Sequence, residues 1–120
     1  MNYSDIEDRF YSEEELIRIL NISPELVDLL IESYMVIGCR RGNETLFPAI
    51  CLFNKKLNAR VSSLVQHFVG SPLEGWEIYR WMTEPNDLLD GLTPYEYIML
   101  YNIDDKIELI ASMESSLYSI

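Results

Sequence analysis

Apolar residues recur along this chain with helical spacing, interrupted by residues that start or stop helices. The longest such series steps by three and four positions, the spacing of one helix face: Ile50, Phe53, Leu57, Val61, Leu64 and Phe68. Gly38, Gly70 and Gly91 are the predicted stops, because glycine readily takes the left-handed conformation that ends a helix. These patterns predict helices over 12–20, 24–36, 48–69, 72–82, 94–101 and 104–116.

Three of these helices begin with a capping box, in which a Ser or Thr and a Glu three positions later bond each other's backbone amides. The pairs are Ser12 with Glu15, Ser71 with Glu74, and Thr93 with Glu96. The exception to helix is 36–47, where Gly42-Asn43 is a hairpin-turn pair between short strand-like pieces. The sequence therefore predicts a mainly α protein with at most a short β-hairpin near 36–47.

The chain of 120 residues is 48% hydrophobic, enough for one domain or two very small ones. We expect a helix-turn-helix-like region over 1–60 and a second helical region over 61–120. No run of about 18 uncharged apolar residues occurs, so we expect no membrane span, and the acidic start "MNYSDIEDRF" is unlike a secretory signal. Cys39 and Cys51 fit buried, inert thiols in a reduced cytoplasm.

Charge is distributed unevenly along the chain, whose formal net charge is −11. Residues 1–60 carry ten acidic and seven basic side chains, for −3, whereas residues 61–120 carry ten acidic and two basic ones, for −8. The negative charge of residues 61–120 repels phosphate backbones. It favours either a basic protein partner or plain solubility.

The order of two short helices around Asn21-Ile22 and then a hairpin resembles the winged helix-turn-helix of MerR-like and excisionase-like DNA-binding proteins. In that architecture the second helix enters the major groove, but here it carries Glu25, Asp28 and Glu32 and no cation. We therefore expect weak or no DNA binding by the chain alone. Any DNA contact would use the basic side chains that follow: Arg40, Arg41, Lys55, Lys56 and Arg60. A solvated face that balances the acidic charge explains the same residues equally well.

No catalytic arrangement is evident in the sequence. The single histidine, His67, has no nucleophile motif to pair with, and neither a phosphate-binding loop nor a metal-ligand spacing occurs. We expect a protein that is not an enzyme and that needs no cofactor or metal.

The segment "WMTEPNDLLDGLTPYEYI" at 81–98 contains proline, glycine and proline at fixed spacing between apolar anchors. With its preceding helix it resembles the toxin-binding domain of the Xre/MbcA/ParS antitoxin family over 64–100, and more weakly to 115. The matching residues are Trp81-Met82, Pro85-Asn86, Leu89, Gly91 and Thr93-Pro94. A helix-to-helix connector with no binding role is the plainer interpretation of the same residues.

The resemblance implies a small cytoplasmic antitoxin that binds a RES-domain toxin, a class associated with NAD as its target, and covers its active-site cleft. The implied partner-binding residues are Trp81, Pro85, Asn86, Leu89, Gly91 and Pro94, with Leu117 and Tyr118 in the closing segment. Two alternatives stay open: a MerR- or excisionase-like DNA-binding regulator, and an acidic phage-type inhibitor of a nucleic-acid-binding host protein. A homodimer is compatible with each of these functions.

Overall fold

The computed structural model describes residues 8–117. Its helices are α1 (Glu13–Leu20), α2 (Glu25–Glu32), α3 (Ala59–Val65), α4 (Gly75–Thr83), α5 (Pro94–Tyr101) and α6 (Asp105–Leu117). Its strands are β1 (Phe10–Ser12), β2 (Cys39–Arg41), β3 (Glu44–Pro48), β4 (Leu52–Phe53) and β5 (Lys56–Leu57). Three short 3-10 turns lie at Ala49–Cys51, Gln66–Phe68 and Asp87–Leu89.

The first five elements form a helix-turn-helix with a small sheet. Strand β3 lies between β1 and β2 and pairs antiparallel with both. Ser12 ends β1 and also caps α1, since its hydroxyl accepts from the Glu15 amide at 3.1 Å and the Glu15 carboxylate accepts from the Ser12 amide at 2.9 Å. Asn21, at φ 55°, makes the left-handed turn after α1. This capping box and this turn are as predicted.

Helix α2 ends at Glu32, four residues before the predicted end at 36. The left-handed residue after it is Tyr34, at φ 58°, and the Met35 amide donates to the Leu30 carbonyl at 2.9 Å. Gly38 is therefore not the stop that the sequence predicts. It serves instead as a point of close backbone contact with α4.

The predicted helix over 48–69 does not form as one element. After Pro48, the 3-10 turn Ala49–Cys51 leads into the hairpin β4–β5, and α-helix is confined to Ala59–Val65. The hairpin turn is Asn54-Lys55, with both residues in the left-handed region at φ 52° and 64°, as in two-residue hairpins of the primed type. Phe53, a member of the apolar series predicted to lie on one helix face, points to solvent.

The prediction of a mainly α fold with at most one hairpin is therefore wrong. The described residues contain five strands in two small antiparallel sheets beside six α-helices, which makes the fold mixed α/β. The predicted hairpin itself is present as β2–β3, joined at Gly42-Asn43. The additional strands are β1 and the β4–β5 pair, all two or three residues long.

The second half of the chain is helical, and one of its helices begins three residues later than the sequence predicts. Helix α4 begins at Gly75 rather than 72, because Glu74 and Glu77 form the capping box instead of Ser71 and Glu74. Helix α5 begins as predicted with Thr93 as cap and Pro94 in its first turn. Buried side chains from both halves, among them Leu16, Phe47, Ile98 and Ile107, belong to a single hydrophobic cluster.

Candidate functional site

The connection between α4 and α5, residues 84–93, is held by hydrogen bonds centred on Asn86. The Asn86 carbonyl accepts from the Leu89 amide at 2.9 Å and from the Gly91 amide at 3.1 Å. Its side-chain oxygen accepts from the Leu88 amide at 2.9 Å, and its own amide donates to the Leu92 carbonyl at 3.0 Å. We call residues 84–93 the Asn86 turn. Four bonds to one residue fix its backbone shape.

The Asn86 turn exposes one large apolar side chain among acidic ones. Leu88 is 55% exposed, and Asp87 and Asp90 on either side of it are exposed as well. Asp90 is left-handed at φ 56° and Gly91 follows at φ 85°, so the chain reverses tightly beneath Leu88. The turn therefore presents an exposed leucine side chain with a carboxylate on either side of it in the sequence.

The partner-binding residues implied by the resemblance divide between the surface and the interior. Leu89 and Pro94 are buried, so in this conformation they hold the Asn86 turn on the core and cannot touch a partner. Trp81 is half-buried and packs edge-on against Phe68, with ring centroids 5.3 Å apart. The remaining residues range from half-buried to exposed: Asn86, Pro85, Gly91 and Leu117. Tyr118 lies outside the described residues.

A second surface lies on the helix-turn-helix. The outward side of α2 carries Glu25, Asp28 and Glu32, as the sequence predicts, but also Leu26 and Leu29, which are 42% and 57% exposed. Beside them is a groove of about 390 Å³ between α2 and the β4–β5 hairpin, lined by Leu20, Ile22, Leu26, Leu29, Leu30, Lys55, Lys56 and Leu57. We call it the leucine groove.

The leucine groove does not follow from the sequence pattern used above, which considers only the acidic positions of α2. Within this helix only Val27 is fully buried. A signal was present, because "ELVDLLIE" holds five aliphatic residues in eight, more than the single stripe a half-buried helix needs.

The five basic residues that the sequence offers for a DNA contact do not form one surface of unpaired cations. Arg60 is committed to the fold, since its Nη1 donates to the carbonyls of Ile98 and Met99 at 3.0 and 3.1 Å, at the end of α5. Arg40 and Arg41 are exposed at the β2–β3 hairpin, while Lys55 and Lys56 are exposed at the other hairpin. Within residues 8–117 none of these four exposed cations forms an ion pair.

The two thiols are deep in the core. Cys39 and Cys51 are free and fully buried, and the Ile37 amide lies 3.3 Å from the Cys51 sulfur. Burial raises the pKa of each thiol to about 12, and for Cys39 the neighbouring Cys51 adds to the effect. Such thiols are protonated at neutral pH and therefore inert as nucleophiles. Among residues 8–117 no group of three or more His, Cys, Asp or Glu side chains could hold a metal ion.

Comparison with known proteins supports the fold. No protein-family model matches the chain, and no curated protein is significantly similar to it in sequence. A solved structure, the NMR structure of Rv2175c, superposes with a TM-score of 0.72 over 89% of this chain and 81% of that chain, at 14% sequence identity. At that identity the similarity concerns the fold alone. No helix among the described residues is long and apolar enough to cross a membrane.

Proposed function

We propose that this chain is a protein-binding inhibitor of the antitoxin kind, which neutralises a partner protein by covering its surface. The observation that carries the proposal is the leucine groove. It lies along α2, the helix that would enter the major groove in a DNA-binding protein, and six of its eight lining side chains are aliphatic, the other two being Lys55 and Lys56. Grooves of this kind bind the apolar anchors of another protein.

Electrostatics favours a protein over DNA at this surface. Glu25, Asp28 and Glu32 on α2 would face phosphates if the helix entered the major groove, and neutralising phosphates supplies most of the affinity of such complexes. A basic protein surface has the opposite charge and is attracted by the same carboxylates. Exposed Leu26 and Leu29 gain from burial against a protein, at about 25 cal/mol per Å² of apolar area.

The Asn86 turn is the second contact in this proposal. Its hydrogen bonds fix the turn before any partner arrives, so little conformational entropy remains to be lost on binding. Leu88 is a single exposed leucine within an acidic rim, which suits an apolar pocket with a basic border. The antitoxin resemblance points to the same segment.

The partner class follows from the resemblance: a RES-domain toxin that acts on NAD. Steric occlusion requires no chemistry from this chain, only an apolar anchor held in place and a surface large enough to exclude substrate. The closing segment, with Leu117 and Tyr118, is the third predicted contact.

The test is inhibition of a purified RES-domain enzyme, measured as NAD consumption while the chain is titrated. We expect inhibition to reach completion near one chain per toxin, and Leu29→Asp and Leu88→Asp to weaken it about tenfold or more, since each buries a charge at an apolar contact. The matched control is Leu100→Asp, which changes a leucine 54% exposed on α5. Equal inhibition by all variants would reject these surfaces, and no inhibition by the parent would reject the toxin class.

A DNA-binding regulator is the second candidate, favoured by the helix-turn-helix with its β2–β3 hairpin and by the exposed pairs Arg40-Arg41 and Lys55-Lys56. Its test is fluorescence anisotropy with random and operator duplexes at physiological salt. We expect negligible binding of random duplex. Tight binding that survives reversal of all four charges would show that the carboxylates of α2 do not keep DNA away and that these cations are not the DNA contact.

A further inference from the structure

The last helix, α6, has an apolar outer face that stays exposed among the described residues, 8–117. Its inner face is anchored by Ile107, Ile110 and Ala111, which are buried. Its outer side exposes Leu109 at 62%, Met113 at 49% and Leu117 at 76%, spaced four residues apart. The full set of exposed side chains on α6 is Asp105, Lys106, Leu109, Ser112, Met113, Ser116 and Leu117.

The fully exposed side chains of this outer face carry no net charge, because Asp105 and Lys106 cancel and the helix's other two charged residues, Glu108 and Glu114, are half-buried. The exposed side of α2, by contrast, carries three carboxylates and no cation, in a protein of net charge −11. A second copy of the chain carries the same −11, so most pairings of two copies bring like charges together. At the outer face of α6 an identical copy meets less of this repulsion than at α2, because the fully exposed charges of α6 cancel.

The shape of the face also suits a copy of itself. Leu109, Met113 and Leu117 form a ridge along every fourth residue, and Ser112 and Ser116 form a row of small side chains beside it. Ridges of one helix pack into the grooves of another in this way. The Ser112 hydroxyl lies 3.2 Å from His67 Nδ1, so it is already partnered within its own chain.

We infer that the chain forms a homodimer through α6, with the two helices antiparallel about a two-fold axis near Met113. A two-fold contact is self-complementary, so Met113 meets Met113 of the second copy and Leu109 lies opposite Leu117. A helix of 13 residues is about 20 Å long, so the contact is smaller than a standard interface. The dimer is therefore weak and concentration-dependent. This inference does not depend on the proposed partner, which would compete with the second copy for Leu117.

The first test measures the molecular mass of the full chain by light scattering and sedimentation at concentrations from about 10 μM to about 1 mM. Proteins with small interfaces associate in this concentration range. We expect a shift from 14.0 kDa towards twice that mass. Met113→Glu should weaken association about tenfold or more, because two carboxylates meet at the axis. Mixing Met113→Glu with Met113→Lys should restore it, and Leu100→Glu, an exposed leucine on another helix, should leave it unchanged.

The second test fixes the orientation of the two helices by disulfide trapping. Met113→Cys should cross-link two copies rapidly under mild oxidation. Asp105→Cys should not, since in an antiparallel pair the two residues at 105 lie about 24 Å apart along the helices. The unmodified chain is the control, because its own two cysteines are fully buried. A monomer at every concentration, or cross-linking no faster at 113 than at 105, would overturn the inference.

Discussion

Gly75, at the start of α4, lies directly against the backbone of Gly38. A Cβ atom on Gly75 would sit 1.9 Å from the Gly38 carbonyl oxygen and 2.7 Å from its carbonyl carbon. One residue further on, the Trp76 indole N–H donates to the Arg40 carbonyl at 2.6 Å. These two contacts dock the second half of the chain on strand β2, so α4 covers part of that strand's outer edge.

We expect Gly75→Ala to destabilise the protein by about 3 kcal/mol or more, at the upper end of overpacking effects, because backbone rather than a movable side chain blocks the new methyl group. Urea unfolding followed by circular dichroism measures the change in the free energy of unfolding. The matched control is Gly38→Ala, whose Cβ would meet only side-chain atoms, the closest being Thr45 Cγ2 at 3.3 Å. A Gly75→Ala protein as stable as the control would disprove the close contact.

Arg60 stabilises the end of α5 and is therefore not a free cation that could bind a phosphate. Removing it in Arg60→Ala leaves the carbonyls of Ile98 and Met99 without their charged donor, and we expect a loss of roughly 1–2 kcal/mol. Lys56→Ala removes the same charge from an exposed residue and should change stability by less than about 0.5 kcal/mol. Equal effects of the two substitutions on stability would mean that the hydrogen bonds of Arg60 do not stabilise the fold.

The Tyr97 hydroxyl donates to Asp104 Oδ2 at 2.6 Å across the α5–α6 connection. This bond raises the pKa of Tyr97 to about 12 and, with the Ile107 amide, lowers the pKa of Asp104. The raised pKa of Tyr97 contributes stability that is full below the unfolded value near 10 and is lost as pH rises towards about 12. The lowered pKa of Asp104 contributes stability present above its unfolded value and lost as pH falls through the folded one.

We therefore expect Tyr97→Phe to flatten the dependence of unfolding free energy on pH at both ends. Asp104 should also titrate at a higher pH in this variant, which carboxyl NMR shifts can follow. Tyr101→Phe, at an exposed ring 5.1 Å from Tyr97 between centroids, is the control. An unchanged Asp104 titration in Tyr97→Phe would show that the bond is not formed in solution.

Both thiols should resist modification while the protein is folded. At pH 8 a thiol with a pKa of about 12 is almost entirely protonated, and both side chains are out of contact with solvent. We expect an aromatic disulfide reagent to label Cys39 and Cys51 only at the rate of unfolding, and immediately in urea. Fast labelling of the native chain would contradict the placement of either residue.

Deletion of residues 113–120 should leave the fold nearly intact, because the described residues from 113 onward are half-buried or exposed and the anchors of α6 come before them. Thermal melts test this expectation. The same deletion should sharply weaken toxin neutralisation in co-expressing cells if the closing segment enters the toxin cleft. Met113→Glu is the control, since it opposes dimerisation but keeps the closing segment. Full neutralisation by the shortened chain would assign binding to the Asn86 turn and the leucine groove.

The sequence predicts some parts of the candidate site better than others. The Asn86 turn is encoded locally: Pro85 and Pro94 fix their own φ, the Asn86 side chain bonds the nearby Leu88 amide, and Gly91 permits a φ of 85°, so their order predicts a turn. Which leucine of the turn is exposed is not local. Leu89 is buried and Leu88 is not, because that choice depends on where the core lies beneath the turn.

The sequence by itself determined the elements with strong local signals: the capping boxes at Ser12 and Thr93, the turn at Asn21 and the Gly42-Asn43 hairpin. In each, the bonds join residues at most seven apart, so no distant contact is needed. Only the tertiary structure decided between helix and hairpin over 52–57. There the apolar spacing fits a helix, but the hairpin buries Leu52 in the core and packs Leu57 against it while Phe53 faces solvent, and that choice depends on where the core lies. Tertiary packing likewise set Gly75 against Gly38, because close contact between residues 37 positions apart depends on how whole elements dock, which short-range propensity does not specify.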